Sequence, residues 1–166
     1  LTSMLESLQH RGPDSAGYAI YGSLDFPENY YQLNIEVKRR RGALDNLKSL
    51  LNQISPIFEE QLIESVGDSD VYKCKIALDE YSLLKPCIRE IDELENVRVI
   101  NGSHSFEMIK DVGKVKDIAE RFDVQSRMGT HGIGHTRFAT ESGVDRYHAH
   151  PYQSYIIPDI TVVHNG

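Results

Sequence analysis

The sequence predicts an α+β fold, and three observations carry that expectation. Short runs place apolar residues at alternate positions, as half-buried strands require, while other stretches place them three and four residues apart, as amphipathic helices require. The third is size: 166 residues, 40% hydrophobic and 26% charged, match one globular domain with a single core. No internal repeat, low-complexity segment or clear linker interrupts residues 1–166. One domain is therefore the expectation.

In chain order, Leu1, Met4, Leu5 and Leu8 follow a helical period, with Thr2 or Ser3 able to cap and His10-Arg11-Gly12-Pro13 closing the helix. Ala16 to Tyr21 is short, apolar and bounded by glycines, and reads as a strand. Tyr31, Leu33, Ile35 and Val37 alternate along a second strand, and Leu44, Leu47, Leu51, Ile54 and Phe58 follow a helical period that Pro56 ends or kinks. Val71 to Leu78 is a strand, Pro86 to Leu94 a helix with proline in its first turn, and Val97 to Ile100 a further strand. Asn101-Gly102 predicts a hairpin whose return strand is Ser105 to Ile109. Val115, Ile118, Ala119 and Phe122 mark another amphipathic helix. Thr130 to Thr140 and Tyr155 to His164 read as two strands joined by a polar, histidine-rich loop.

Composition excludes several functions. A formal net charge of −7 argues against a general nucleic-acid or membrane-surface binder. The one basic cluster, Lys38-Arg39-Arg40-Arg41, falls between a strand and a helix and reads as a solvated loop. No window approaches the roughly 20 apolar residues of a membrane span, and no signal peptide opens the chain, so a cytoplasmic location is expected. Cys74 and Cys87 form no C-x-x-C pair or disulfide framework. Cys74 reads as the core face of a strand. Cys87 follows Pro86 at a helix start, where the dipole favours a thiolate, and is either a buried structural thiol or a reactive one.

Polar residues with catalytic potential gather in HRGPDSAG at 10–17 and GIGHTRFATES at 132–142, followed by YHAHPY and VVHNG. Arg137, flanked by Thr136 and Phe138 inside a strand, needs an anion if it is buried, either an internal carboxylate or a ligand carboxylate gripped by its planar fork. Asn165 and Gly166 offer a side-chain amide and an N–H at a strand end; they make either a plain turn or a pair of donors to a developing oxyanion. Five of the seven histidines, His131, His135, His148, His150 and His164, lie in the last 36 residues. His148 and His150 would share a strand face, but there is no H-E-x-x-H, and His131 and His135 are separated by Gly-Ile-Gly rather than a helical turn, so no metal site is expected. Ser15 stands one position too far along for the G-x-S-x-G nucleophile elbow.

In order, HRGPDSAG, GIGHTRFAT, HAHP and VVHNG resemble the glutaminase domain of class II glutamine amidotransferases, the family with an N-terminal nucleophile. RGPDSAG with GTHGIGHTRFATES looks most like the glutamate synthase type, and RGPD is also similar to asparagine synthetases. The match lies at the two ends, leaving residues 22–131 as a variable middle segment. The resemblance implies a four-layer αββα sandwich of the N-terminal nucleophile hydrolase type, truncated at both ends, in which glutamine is hydrolysed to glutamate and ammonia for a synthase domain or subunit.

Residue by residue, the resemblance implies that Arg137 grips the α-carboxylate of glutamine, Thr140 lines its pocket, and Asn165 with the N–H of Gly166 forms the oxyanion hole. Arg11 and Asp14 match the RG-x-D block that supports the site. Phe138 stands where many members carry Trp, and Glu141 where several carry His. The family nucleophile is a cysteine at the mature N-terminus whose α-amino group serves as base. Leu1 and the terminal Asn165-Gly166 turn lead to the expectation of an internal fragment, inert alone. No cofactor is expected in this domain. A non-catalytic regulatory or assembly subunit, the glutaminase domain of another amidotransferase such as an asparagine synthetase, and a histidine-based metal enzyme are the alternatives.

Overall fold

The computed structural model describes residues 1–22, 27–55, 59–139, 143–157 and 159–165. Pro56, Phe58, Thr140, Glu141 and Gly166 lie outside the described residues. The fold is α+β, with antiparallel sheets and four α-helices among the described residues. The chain forms two compact units, one from Leu1–Asp25 with Ser105–Gly166 and the other from Phe26–His104.

In the first unit, α1 (Thr2–Leu8) ends in a 3₁₀ turn at Gln9–Arg11 and leads into β1 (Ser15–Tyr21). After the second unit, β6 (Phe106–Val112), α4 (Val115–Arg121) and β7 (His131–Arg137) complete a sheet of order β6-β1-β7, and β8 (Tyr152–Gln153) pairs with β9 (Thr161–Val162). Strand alternation divides the sheet into two faces. Leu5, Ala16, Tyr18, Ile109, Val115, Ile118 and Ala119 form a buried cluster on the helix side. Gly134 belongs to this side because a Cβ there would lie 2.7 Å from Leu5 Cδ1. The alternate positions His131, Ile133, His135 and Arg137 therefore face away from α1.

Two expectations for α1 are corrected. Neither Thr2 nor Ser3 caps it, since Leu1 holds the N-cap position without a side-chain bond. Only Leu5 of its apolar stripe is buried; Leu1, Met4 and Leu8 are exposed. The last turn is secured instead by Gln9, whose Nε2 donates to the Gly12 carbonyl at 2.8 Å and whose Oε1 accepts the Val115 N–H at 2.6 Å.

The second unit contains β2 (Tyr30–Lys38), α2 (Ala43–Ile54), β3 (Glu59–Val66), β4 (Ser69–Ala77), α3 (Leu84–Asp92) and β5 (Val97–Ser103), with the sheet ordered β3-β4-β2-β5. Leu33, Ile35, Leu47, Leu51, Ile76, Leu84 and Ile91 are its largest fully buried apolar side chains. The expected hairpin at Asn101-Gly102 does not form. Both residues lie inside β5, and β5 and β6 belong to different sheets. Asn101 is buried and accepts a 3.0 Å bond from Asn34, while a Cβ at Gly102 would come within 2.6 Å of Leu33 Cδ2. Packing, not turning, selects this pair.

Strand β3 is unforeseen because it is an edge strand with Glu59, Glu60 and Glu64 and little apolar alternation. Its charges are managed by Lys75–Glu59 and Lys48–Glu60 pairs at 2.7 and 3.0 Å, the kind of decoration that protects an edge from further pairing. Of the basic cluster, Lys38 ends β2 and residues 39–41 form a loop, where Arg40 pairs with Asp68 at 2.7 Å. No helix among the described residues is long and apolar enough to cross a membrane.

Candidate functional site

The site grows from the way the RGPD segment is pinned to the end of β7. Gly12 is required by close approach, because a Cβ there would lie 2.4 Å from the Thr136 carbonyl carbon and oxygen. Asp14 then makes three ties. Its N–H donates to the Arg137 carbonyl at 3.0 Å, its carbonyl accepts the Gly113 N–H at 2.9 Å, and its carboxylate accepts the Ala139 N–H at 2.7 Å. A charged acceptor on a backbone amide is among the stronger protein hydrogen bonds. The chain leaving β7 is thereby held in place.

Arg137 ends β7, opposite Ser15 in β1, and is buried at 7% exposure. Its Nη1 donates to the Gly143 carbonyl at 3.2 Å, which bridges the segment 140–142 that lies outside the described residues. His135 stands two residues earlier on the same face, and its ring stacks on that of His150 with centroids 4.5 Å apart.

The loop carrying His150 is held by charge placed in the sheet. Lys110 is buried in β6, and its Nζ donates to the carbonyls of Ala149 and Pro151 at 3.0 and 3.2 Å, on either side of His150. Asp111, the next residue, accepts from Arg121 and Arg146, each at 2.8 Å, and so ties α4 and the loop to β6. Gly17 lets the loop approach, since a Cβ there would lie 2.2 Å from the His150 carbonyl oxygen. Finally, His150 Nδ1 accepts the N–H of His164 at 3.0 Å. That bond fixes the residue immediately before Asn165.

Arg11, His135, Thr136 and Asn165, with Leu5, Leu8 and Gly134, line a cavity of about 260 Å³. Two of the sequence-derived site residues, Arg11 and Asn165, thus share one cavity wall. Arg137 lies on the face of β7 beside His135, Asp14 acts through the backbone, and Thr140 and Gly166 are outside the described residues. His148 and His150 do not share a strand. His148 is exposed and bonded to Asp145 at 2.7 Å, whereas His150 is buried.

Burial, followed by the neighbouring His135, Arg137, Lys110 and His164, pushes the His150 pKa down to about 4. Burial and then Arg137 and His164 lower that of His135. Both rings are neutral near pH 7, so the positive charge comes from Arg137 and Lys110 beside the rings and from Arg11 in the cavity wall. Such a field suits an anionic ligand or a developing oxyanion. Cys74 and Cys87 belong to the second unit; both are buried, and burial pushes each thiol up to about 12. Cys87 is therefore the buried structural thiol of the two readings, held protonated by burial and next by Glu90.

His135, His150 and Lys110 were not assigned site roles from the sequence. The HAHP motif was the available signal for His150, but its pairing with His135 is non-local. Lys110 offered none beyond a lysine inside a strand.

This arrangement occurs in a chain with relatives named for glutamine amidotransfer. The chain is 62% identical, over all 166 residues, to a protein of Methanothermobacter thermautotrophicus named "Putative glutamine amidotransferase", of which it covers 54%. It is 34% identical over its whole length to the glutamine amidotransferase-like protein GlxB of Rhizobium meliloti, covering 52% of it. A 70-residue stretch, 42% of the chain, is 40% identical to 11% of a glutamine–fructose-6-phosphate aminotransferase (isomerizing) of Aliivibrio fischeri. The chain spans about half the length of the two relatives it matches throughout. No known family model matches it. These relatives support a glutamine amidotransferase domain.

Proposed function

We propose that this chain is part of the glutaminase domain of a class II glutamine amidotransferase that hydrolyses glutamine to glutamate and ammonia in the cytoplasm. The ammonia passes to a synthase domain or subunit, of the glutamate synthase kind, and the glutaminase domain needs no cofactor of its own. The fold of the complete domain is the four-layer αββα sandwich. The observation that carries this proposal is the buried Arg137 at the end of β7, beside a histidine pair that fixes the approach to Asn165.

Arg137 grips the α-carboxylate of glutamine with its guanidinium fork, and Thr140 lines the pocket. A cysteine thiolate attacks the side-chain amide carbon. The resulting oxyanion is held by the Asn165 amide and the Gly166 N–H, and ammonia leaves with a proton returned by the α-ammonium group of the nucleophile. Water then attacks the thioester, releasing glutamate and regenerating the thiol. The nucleophile in this mechanism is the cysteine at the mature N-terminus; buried Cys74 and Cys87, with pKa values pushed up to about 12, are unsuited to the step. Arg11 and Asp14 support the site, Asp14 through the Ala139 N–H.

In the full-length natural protein, Arg137→Ala lowers glutaminase kcat/KM by roughly 10- to 100-fold, the range for a hydrogen bond to a charged group. An unchanged kcat/KM removes the carboxylate role. A non-catalytic regulatory or assembly subunit is the second reading, favoured by the long middle segment and by Glu141, a carboxylate close in sequence to Arg137 that would repel a bound carboxylate.

A further inference from the structure

We infer that His150 is a positioning residue for Asn165, its imidazole Nδ1 serving as the acceptor that sets the backbone of the His164-Asn165 turn. The kinetic part of this inference rests on the glutaminase function proposed above; the geometric part does not. Every contact of the ring restricts Nδ1. The His150 backbone sits against the strand at Gly17, where a Cβ would lie 2.2 Å from its carbonyl oxygen. The carbonyls on both sides are held by the single buried ammonium of Lys110. The ring stacks on His135 and meets Tyr152 at a tilt, with both centroids 4.5 Å away. Among the described residues, what remains is one polar contact, the 3.0 Å bond from the His164 N–H to Nδ1.

That bond specifies a tautomer. An imidazole nitrogen accepts only when it carries no proton, so His150 must be neutral with its proton on Nε2. The charged and titratable groups facing it enforce this: His135 and Arg137 from β7, Lys110 from β6, and His164 from the chain after β9. Because the bond is made to the residue next to Asn165, loss of the acceptor moves the oxyanion donor without removing it. The consequence belongs to kcat rather than to glutamine affinity.

The test uses full-length natural protein and three variants. Asparagine places an amide oxygen where Nδ1 stands, whereas glutamine places its amide near the Nε2 position and alanine supplies no acceptor. H150N should keep kcat within about 3-fold of wild type, while H150Q and H150A lose roughly 10- to 100-fold in kcat with KM within about 3-fold. Hydrogen–deuterium exchange of residues 160–165 gives a readout independent of turnover: protection is retained in H150N and lost in H150Q. Equal kcat and equal protection in H150N and H150Q would overturn the inference, as would a doubly protonated His150 ring at pH 7 in the 15N-histidine spectrum. Wild-type protein that releases no ammonia refutes the glutaminase function, and the exchange pattern then decides the positioning role alone.

Discussion

Arg137, Asn165, His150 and the two cysteines show how far residue type alone predicts chemistry. Arg137 was legible because a guanidinium within a strand requires an anion or a buried polar partner, and it is buried. Of the two readings open for Cys87, the buried structural thiol is the one the structure shows, and burial pushes its pKa up to about 12. Cys74 and Cys87 in the folded protein should therefore resist iodoacetamide at pH 8 and label only after denaturation, as read by peptide mass spectrometry. Rapid labelling of either thiol in the native protein would contradict its burial.

The histidines add a pH dependence. An unfolded histidine titrates near 6.5 and folded His150 at about 4, so between these values the unfolded chain binds more protons. Stability is then fully present above about pH 6.5 and falls as pH drops toward 4, by roughly 1–2 kcal/mol at pH 5 from this group. The lowered pKa of His135 acts in the same direction. Urea unfolding at pH 7.5 and pH 5 should show the loss, and H150N should remove His150's share.

At the scale of elements, a short apolar run bounded by glycines located β1, and periodicity located β2, β4, α2 and α4, whose apolar faces repeat regularly. It failed where another demand outweighed local pattern. Asn101-Gly102 has the sequence of a turn, but the lack of a Cβ at Gly102 makes room for Leu33, Ile88 and Leu84. The long strand expected over Tyr155 to His164 is replaced by the two-residue β9. Ser154 is the cause: its Oγ accepts the N–H groups of Ile156 and Ile157 at 3.3 and 3.1 Å, and its own N–H donates to the Ile160 carbonyl at 2.9 Å. These local bonds compete with a strand ladder.

Glycines in the site motifs sort by what they meet. Gly17→Ala would push against the backbone oxygen of His150 and the Cβ of Lys110, at 2.2 and 2.6 Å, and should destabilise by about 1–3 kcal/mol or more. Gly134→Ala meets first the Leu5 side-chain end at 2.7 Å, which can rotate, and should cost less. Thermal unfolding of the two variants tests that order, and equal losses would contradict the assigned role of Gly17.

For the whole molecule, the motifs from the two ends of the sequence converge on one unit, while residues 26–104 build a second sheet and helix layer. This convergence was legible through motif order. The stacked His135 and His150 and the Lys110 clamp were not, because they join residues from separate elements and no local period records such a meeting. The net charge of −7 remains unfavourable for nucleic-acid binding, whereas Arg11, in the cavity wall with Asn165, is a local cationic group in that acidic chain.

The most direct measurement is product formation by the full-length natural protein with glutamine as its only substrate, with glutamate and ammonia quantified together and glutamine binding followed by calorimetry. A glutaminase forms the two products in a 1:1 ratio, with turnover lost in Arg137→Ala. Saturable glutamine binding without either product would contradict the hydrolytic function and assign the protein to the regulatory class.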